Sequence, residues 1–146
     1  MNISDLITSI KTQIEAVTGY SELKHSIRVE ENARIARKNS YTLLVQDSSE
    51  VDGVVGYFTL DTQFKISLGN VFISKQTGDA NKLEIISTLY DKMLEVYQKL
   101  NNTKCGRADI CMHVKNLEIS EPEVMDNLDM VFIYGTITIT HRTKLS

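Results

Sequence analysis

The sequence predicts an α+β domain: a mostly antiparallel sheet with helices packed on one face, in the order α-β-β-α-β-β. Apolar residues recur at helical spacing in two separated stretches, one near the N-terminus and one over 83–100. By contrast, the segments 57–68 and 130–141 alternate apolar with polar residues, as half-buried strands do. The strand-like segments come in pairs, before and after the second helix, which is the pattern of two hairpins. At 146 residues the chain is read as a single domain, 1–146, long enough to bury a core and too short for two ordinary ones.

Ser4 is a candidate cap for a first helix whose residues Leu6, Ile7, Ile10, Ile14 and Val17 share one face, with Gly19 as its left-handed stop. The stretch 20–40 is polar, mixed in charge and weakly periodic, and reads as a loop with one short strand around 27–30. YTLLVQ (41–46) is a compact apolar run suited to a buried strand, and DSSEVDG after it reads as a hairpin loop. In the next strand Phe58, Leu60, Phe64, Ile66 and Leu68 face one way. Tyr57, Thr59, Asp61, Gln63, Lys65 and Ser67 face the other. Gly69-Asn70 marks a bulge or bend before Val71-Phe72-Ile73.

Asn81 with Glu84 three residues later forms a capping-box-like start for the second helix, Asp79 being an alternative cap. Leu83, Ile86, Tyr90, Met93, Tyr97 and Leu100 then define its core face, and Asn101-Asn102 its end. Ile110, Met112 and Val114 alternate, and Leu117 and Ile119 continue in the opposite phase, so a bulge is expected near Lys115 and Asn116. The last strand, 130–141, places Phe132 and Tyr134 on one face and Val131, Ile133, Ile137 and Ile139 on the other. No internal repeat, low-complexity tract or linker interrupts this order.

Composition narrows the function classes. A formal net charge of −3 offers nucleic acid no general attraction. No stretch approaches the roughly 20 apolar residues of a membrane helix. The N-terminus lacks the basic start and cleavage site of a signal peptide, so the chain is read as cytosolic, and its two cysteines, Cys105 and Cys111, as free thiols. With His113 they form C-x5-C-x-H, but structural zinc takes four ligands, usually with closer cysteine pairs. No G-x-S-x-G, H-E-x-x-H or P-loop pattern occurs, so no enzyme, catalytic residue, metal or cofactor is expected. The carboxylates Asp47, Glu50 and Asp52 lack EF-hand spacing and read as a solvated turn.

What remains is charge on irregular segments. Glu118, Glu121, Glu123, Asp126 and Asp129 make an acidic connector that is long for a hairpin loop. Arg34, Arg37 and Lys38 make a basic group in the other long irregular stretch. On opposite sides of the domain, the two would let identical subunits meet head to tail, acid to base, and close into a ring. Exposed strand edges, normally blunted in a monomer, would serve the same pairing.

The order of elements carries a resemblance. An amphipathic helix, a polar stretch, YTLLVQD, the long strand YFTLDTQFKISL, the helix of TGDANKLEIISTLYDKMLEVYQKL and the closing MVFIYGTITITHR together resemble the tail terminator, or tail completion, proteins of long-tailed bacteriophages of the lambda type. The resemblance spans nearly the whole chain and contains no diagnostic short motif. It implies a virion structural protein: a homohexameric ring that caps the head-proximal end of the tail tube, ends its polymerisation and joins the tail to a head-side connector or neck protein. It further implies tail tube protein as a partner, DNA passing through the ring lumen, no membrane, and residence in the host cytoplasm during assembly. Divalent-cation-assisted hexamer formation in such proteins would give Asp47, Glu50 and Asp52 a role. The family shares its core with tube and neck proteins, so another neck, head–tail joining or tube-like subunit is the alternative, and a small nucleic-acid-binding module a more distant one.

Overall fold

The computed structural model describes residues 3–23, 39–54, 57–71, 78–125 and 130–144. Helix α1 covers Ile3–Thr18, followed by strands β1 (Ser21–Glu22), β2 (Ser40–Val54) and β3 (Tyr57–Val71). Helix α2 (Gly78–Thr103) leads through a short turn, Lys104–Gly106, into β4 (Cys111–Ile119), β5 (Glu123–Met125) and β6 (Met130–Lys144). The six strands form one sheet in the order β1-β2-β3-β6-β4, with β5 also paired to β6. Among the described residues only the β1–β2 pairing is parallel. The mixed α+β class is as the sequence predicts, but the element order is richer than α-β-β-α-β-β by the two short strands β1 and β5.

Helix α1 buries Leu6, Ile10, Ile14 and Thr18, with Ile7 and Val17 partly buried beside them. It begins at Ile3, so Ser4 lies within its first turn and its carbonyl accepts a hydrogen bond from Thr8 Oγ1 (2.9 Å). Gly19, at φ +70°, ends the helix as expected, donating to the Glu15 carbonyl at 2.8 Å.

The core lies between the helices and one face of the sheet. Thr62, Phe64, Ile66 and Leu68 of β3 stand opposite Ile139, Ile137, Gly135 and Ile133 of β6 in register, and all point to the helix side. A Cβ on Gly135 would sit 2.7 Å from Met93 Sδ, so the missing side chain is what lets α2 approach the sheet there. The register between β3 and β6 runs unbroken from Tyr57 to Val71, so Gly69-Asn70 is not a bulge. Gly69 pairs with Phe132, whose ring lies 2.7 Å from where a Cβ would be. The glycine therefore serves a close ring approach rather than a bend.

Helix α2 turns to the core a face that overlaps the expected one at Met93, Leu100 and the partly buried Ile86, and is rotated toward Leu89 and Val96. Leu89, Met93, Val96 and Leu100 are buried, whereas Leu83 is 66 % and Tyr90 40 % exposed. Met93, common to the expected and the observed face, fits over Gly135. The helix extends past the expected bounds: Asp79 and Asn81 lie inside it, and Asn101-Asn102 do not end it. Beyond Thr103, Lys104 (φ +49°), Cys105 (φ +58°) and Gly106 (φ +74°) are all left-handed. This strained turn presses on α1, where Ser9 Oγ donates to the Cys105 carbonyl.

Two further expectations change. DSSEVDG is not a loop, because β2 continues through it to Val54, paired to β3 with register shifts between Val45 and Ser48 and between Glu50 and Asp52. The acidic connector is not one long loop either. It contains β5, which pairs with the start of β6, Met125 opposite Met130. That leaves four residues, 126–129, between β5 and β6, an ordinary hairpin length. The bulge expected near Lys115 and Asn116 is present as a register shift between Lys115 and Glu118, with Asn116 at φ +59°.

Candidate assembly surface

The face of the sheet turned away from the helices is polar and rich in threonine. Register places Asp61, Gln63, Lys65 and Ser67 of β3 on it, facing Thr140, Thr138, Thr136 and Tyr134 of β6. Asp61 is its electrostatic centre. Its Oδ1 accepts from Thr140 Oγ1 at 2.5 Å and its Oδ2 from Lys115 Nζ at 3.1 Å. The Thr140 hydrogen bond, helped by Lys115, holds this carboxyl below the usual range although burial works against it. Beside it, a groove of about 360 Å³ is lined by Asp47, Ser48, Ser49, Asp61, Gln63, Lys115, Asn116 and Thr138.

Toward the other end of the same face, Phe132 and Tyr134 stack with centroids 6.3 Å apart, and Lys65 Nζ lies 4.6 Å from the Tyr134 ring centre. Tyr134 donates from its hydroxyl to Glu123 Oε2 at 2.9 Å. Burial, then Glu123, pushes its phenol up to about 12. Three of the acidic residues singled out in the sequence are placed here. Glu118 pairs with Thr136 and Glu123 with Phe132, so they flank Tyr134, while Glu121 is exposed between β4 and β5. Asp126 and Asp129, and the basic Arg34, Arg37 and Lys38, lie outside the described residues.

The sequence did not single out Asp61, Lys115, Thr140, Lys65 or Tyr134 as a group. Their signal was the shared alternation phase of 57–68 and TITIT, which marks one polar face but not the cross-strand partners on it. Nor did it find the chain on the core side in which Ser48 Oγ meets Thr62 Oγ1 at 2.7 Å and Thr62 Oγ1 meets His141 Nε2 at 2.7 Å.

The soft-ligand cluster separates in three dimensions. A register shift between Cys111 and His113 leaves Cys111 buried opposite His141 and His113 exposed opposite Thr140 on the polar face. Cys105 and Cys111 are both free, buried and hydrogen-bonded to each other through their thiols. That bond, and burial, push the Cys105 thiol up, away from nucleophilic character. Among the described residues no group of three or more His, Cys, Asp or Glu is placed to hold a metal ion, and Asp47 and Glu50 lie on a strand rather than clustered in a turn. No helix among the described residues is long and apolar enough to cross a membrane.

The fold thus defines a class: a single α+β layer pair whose sheet has one helix-covered face and one polar face with aromatic and acidic residues at one end. No family model matches the chain, and no curated protein matches it. Among solved structures, a chain from the structure titled "Virion of native gene transfer agent (GTA) particle" is similar over 92 % of each chain, with a TM-score of 0.44 and 11 % identity. A likeness that weak carries no functional weight here.

Proposed function

We propose that this chain is a structural subunit of a tailed-phage virion: a tail terminator that forms a hexameric ring, caps the head-proximal end of the tail tube, ends its polymerisation and joins it to the head-side connector. It acts by binding other protein chains and is not an enzyme. Tail tube protein, the neck or connector and further copies of itself are its partners, and DNA passes through the ring lumen. The observation that carries this is the exposed outer edge of β2, where Gln46 to Val51 are all exposed and, among the described residues, no strand pairs beyond Tyr41. A long edge of that kind is a template for pairing with another chain. The order of elements along the sequence, which resembles terminators over nearly the whole chain, supports the particular ring.

The experiment is polymerisation of the tail tube protein of the same virus with and without this chain. Shorter tubes carrying the chain at one end only are the expected outcome. Tubes of unchanged length with no bound chain contradict it, and growth of this chain itself into tubes would favour the tube-like alternative.

A further inference from the structure

The two flanks of the sheet carry opposite charge. Residues 40–54 contain Asp47, Glu50 and Asp52 and no lysine or arginine. Asp47 and Glu50 are exposed, and among the described residues neither makes an ion pair. At the opposite flank, a groove of about 400 Å³ beside β4 is lined by Lys104, Ala108, Asp109, Cys111, Met112 and Arg142. Lys104 Nζ donates to the Met112 carbonyl at 2.9 Å, which places its ammonium against β4. Arg142 is exposed and makes no ion pair with a described residue, whereas Asp109 in the same groove is already neutralised by Arg107 at 2.9 Å.

Register sets the level of each flank across the sheet. Glu50 stands level with Leu60, then His141, then Cys111 across the sheet; Ser49 stands level with Asp61, Thr140 and His113. Strands β2 and β6 are both antiparallel to β3, and β4 is antiparallel to β6, so β2 and β4 run in opposite directions. A second copy related by rotation about an axis parallel to the strands, with its β4 beside β2 of the first, therefore meets it antiparallel, with Glu50 at the height of Cys111 of the next copy. The apolar side chains at this seam, Val51 on β2 and Met112 on β4, are both exposed.

We propose that β2 of one copy docks beside β4 of the next, head to tail, with Asp47 and Glu50 facing Lys104 and Arg142. The contact is heterologous, so a rotation that closes yields a ring, and one that does not yields an open filament. This deepens the assembly role proposed above and rests on it, naming the surface between copies.

The test uses two charge-reversed variants of the full chain, Asp47→Lys/Glu50→Lys and Lys104→Glu/Arg142→Glu, followed by sedimentation velocity over a range of protein and salt concentrations. Wild-type chains are expected to self-associate, more weakly as salt rises, and each variant alone to associate roughly tenfold more weakly. Mixing the two restores association, because each reversed flank then meets a flank of opposite sign. Lys104 sits in a left-handed turn, so Arg142→Glu alone, at an exposed strand position, repeats the second arm if the double variant melts early. Wild-type chains that stay monomeric, variants that associate like wild type, or a mixture no stronger than its components would each overturn the proposal. Six-fold rings persisting in both variants would overturn this seam while leaving the ring role standing. Open-ended chains restored by mixing would uphold the seam and overturn the ring.

Discussion

His141 shows how a residue that titrates near neutral pH is built into the core. It is fully buried, bonded through Nε2 to Thr62, and its Nδ1 has no partner among the described residues. Burial lowers its pKa from 6.5, with Asp61 opposing. The unfolded chain therefore binds a proton that the folded one refuses, in the window from about pH 6.5 down to the folded value. Stability is full above that window and falls as the pH drops through it. The melting temperature of wild type is expected to decline between pH 7.5 and 5.5, and that of His141→Gln to decline less steeply; equal slopes would remove His141 as the cause. In the sequence, His141 only ended an alternating run, and the alternation by itself gives its face but not its depth. Asn116 was more legible, because the change of phase between Val114 and Leu117 requires an extra residue there. Its φ of +59° predicts that Asn116→Val costs about 1–2 kcal/mol in chemical denaturation while Asn116→Gly is close to neutral.

Elements were read correctly where one pattern had a single solution. Helix α1 has one apolar stripe, and the structure buries it. Strand β3 has one clean alternation, and its two faces are those expected. The periodicity of helix α2 places Met93 and Leu100 in the core, but its own residues do not say that Leu89 and Val96 are buried while Leu83 and Tyr90 are exposed. The close approach of the helix to the sheet depends on a glycine forty-two positions away, Gly135, over which Met93 sits. Gly135→Val would push a branched side chain into Met93 and is expected to destabilise by roughly 1–3 kcal/mol, read from urea unfolding. An unchanged midpoint would mean that α2 does not rest on β6 there. The same dependence on distant partners hid the true extent of β2. DSSEVDG is turn-like by composition, yet its backbone pairs with β3 across two register shifts, and this gives the domain its long acidic edge. The connector from Glu118 onward hid β5 for a similar reason, since a three-residue strand leaves too short a pattern to detect.

At the scale of the whole molecule, a sheet covered by helices on one side leaves, among the described residues, three surfaces for partners: the polar face around Asp61, the acidic flank of β2 and the basic groove beside β4. Asp61 is paired with Lys115 within the chain, whereas Asp47 and Glu50 on one flank and Arg142 on the other make no ion pair with a described residue. Electrostatic complementarity of this kind sets orientation and register between copies more than it sets raw affinity. The sequence pointed to head-to-tail charge pairing through Arg34, Arg37, Lys38 and the acidic connector. The length of that connector no longer argues for a contact surface, because β5 occupies it. The described charges that can meet between copies instead lie on strands, Lys104 in the turn before β4 excepted, and only the ladder shows that Glu50 and Cys111 stand at one level. The central claim is that copies of this chain close on themselves through those flanks. The most direct test is negative-stain electron microscopy of the purified protein at high concentration, with and without magnesium. Closed six-fold rings in at least one condition are the predicted result, and single-chain particles in both would contradict self-closure.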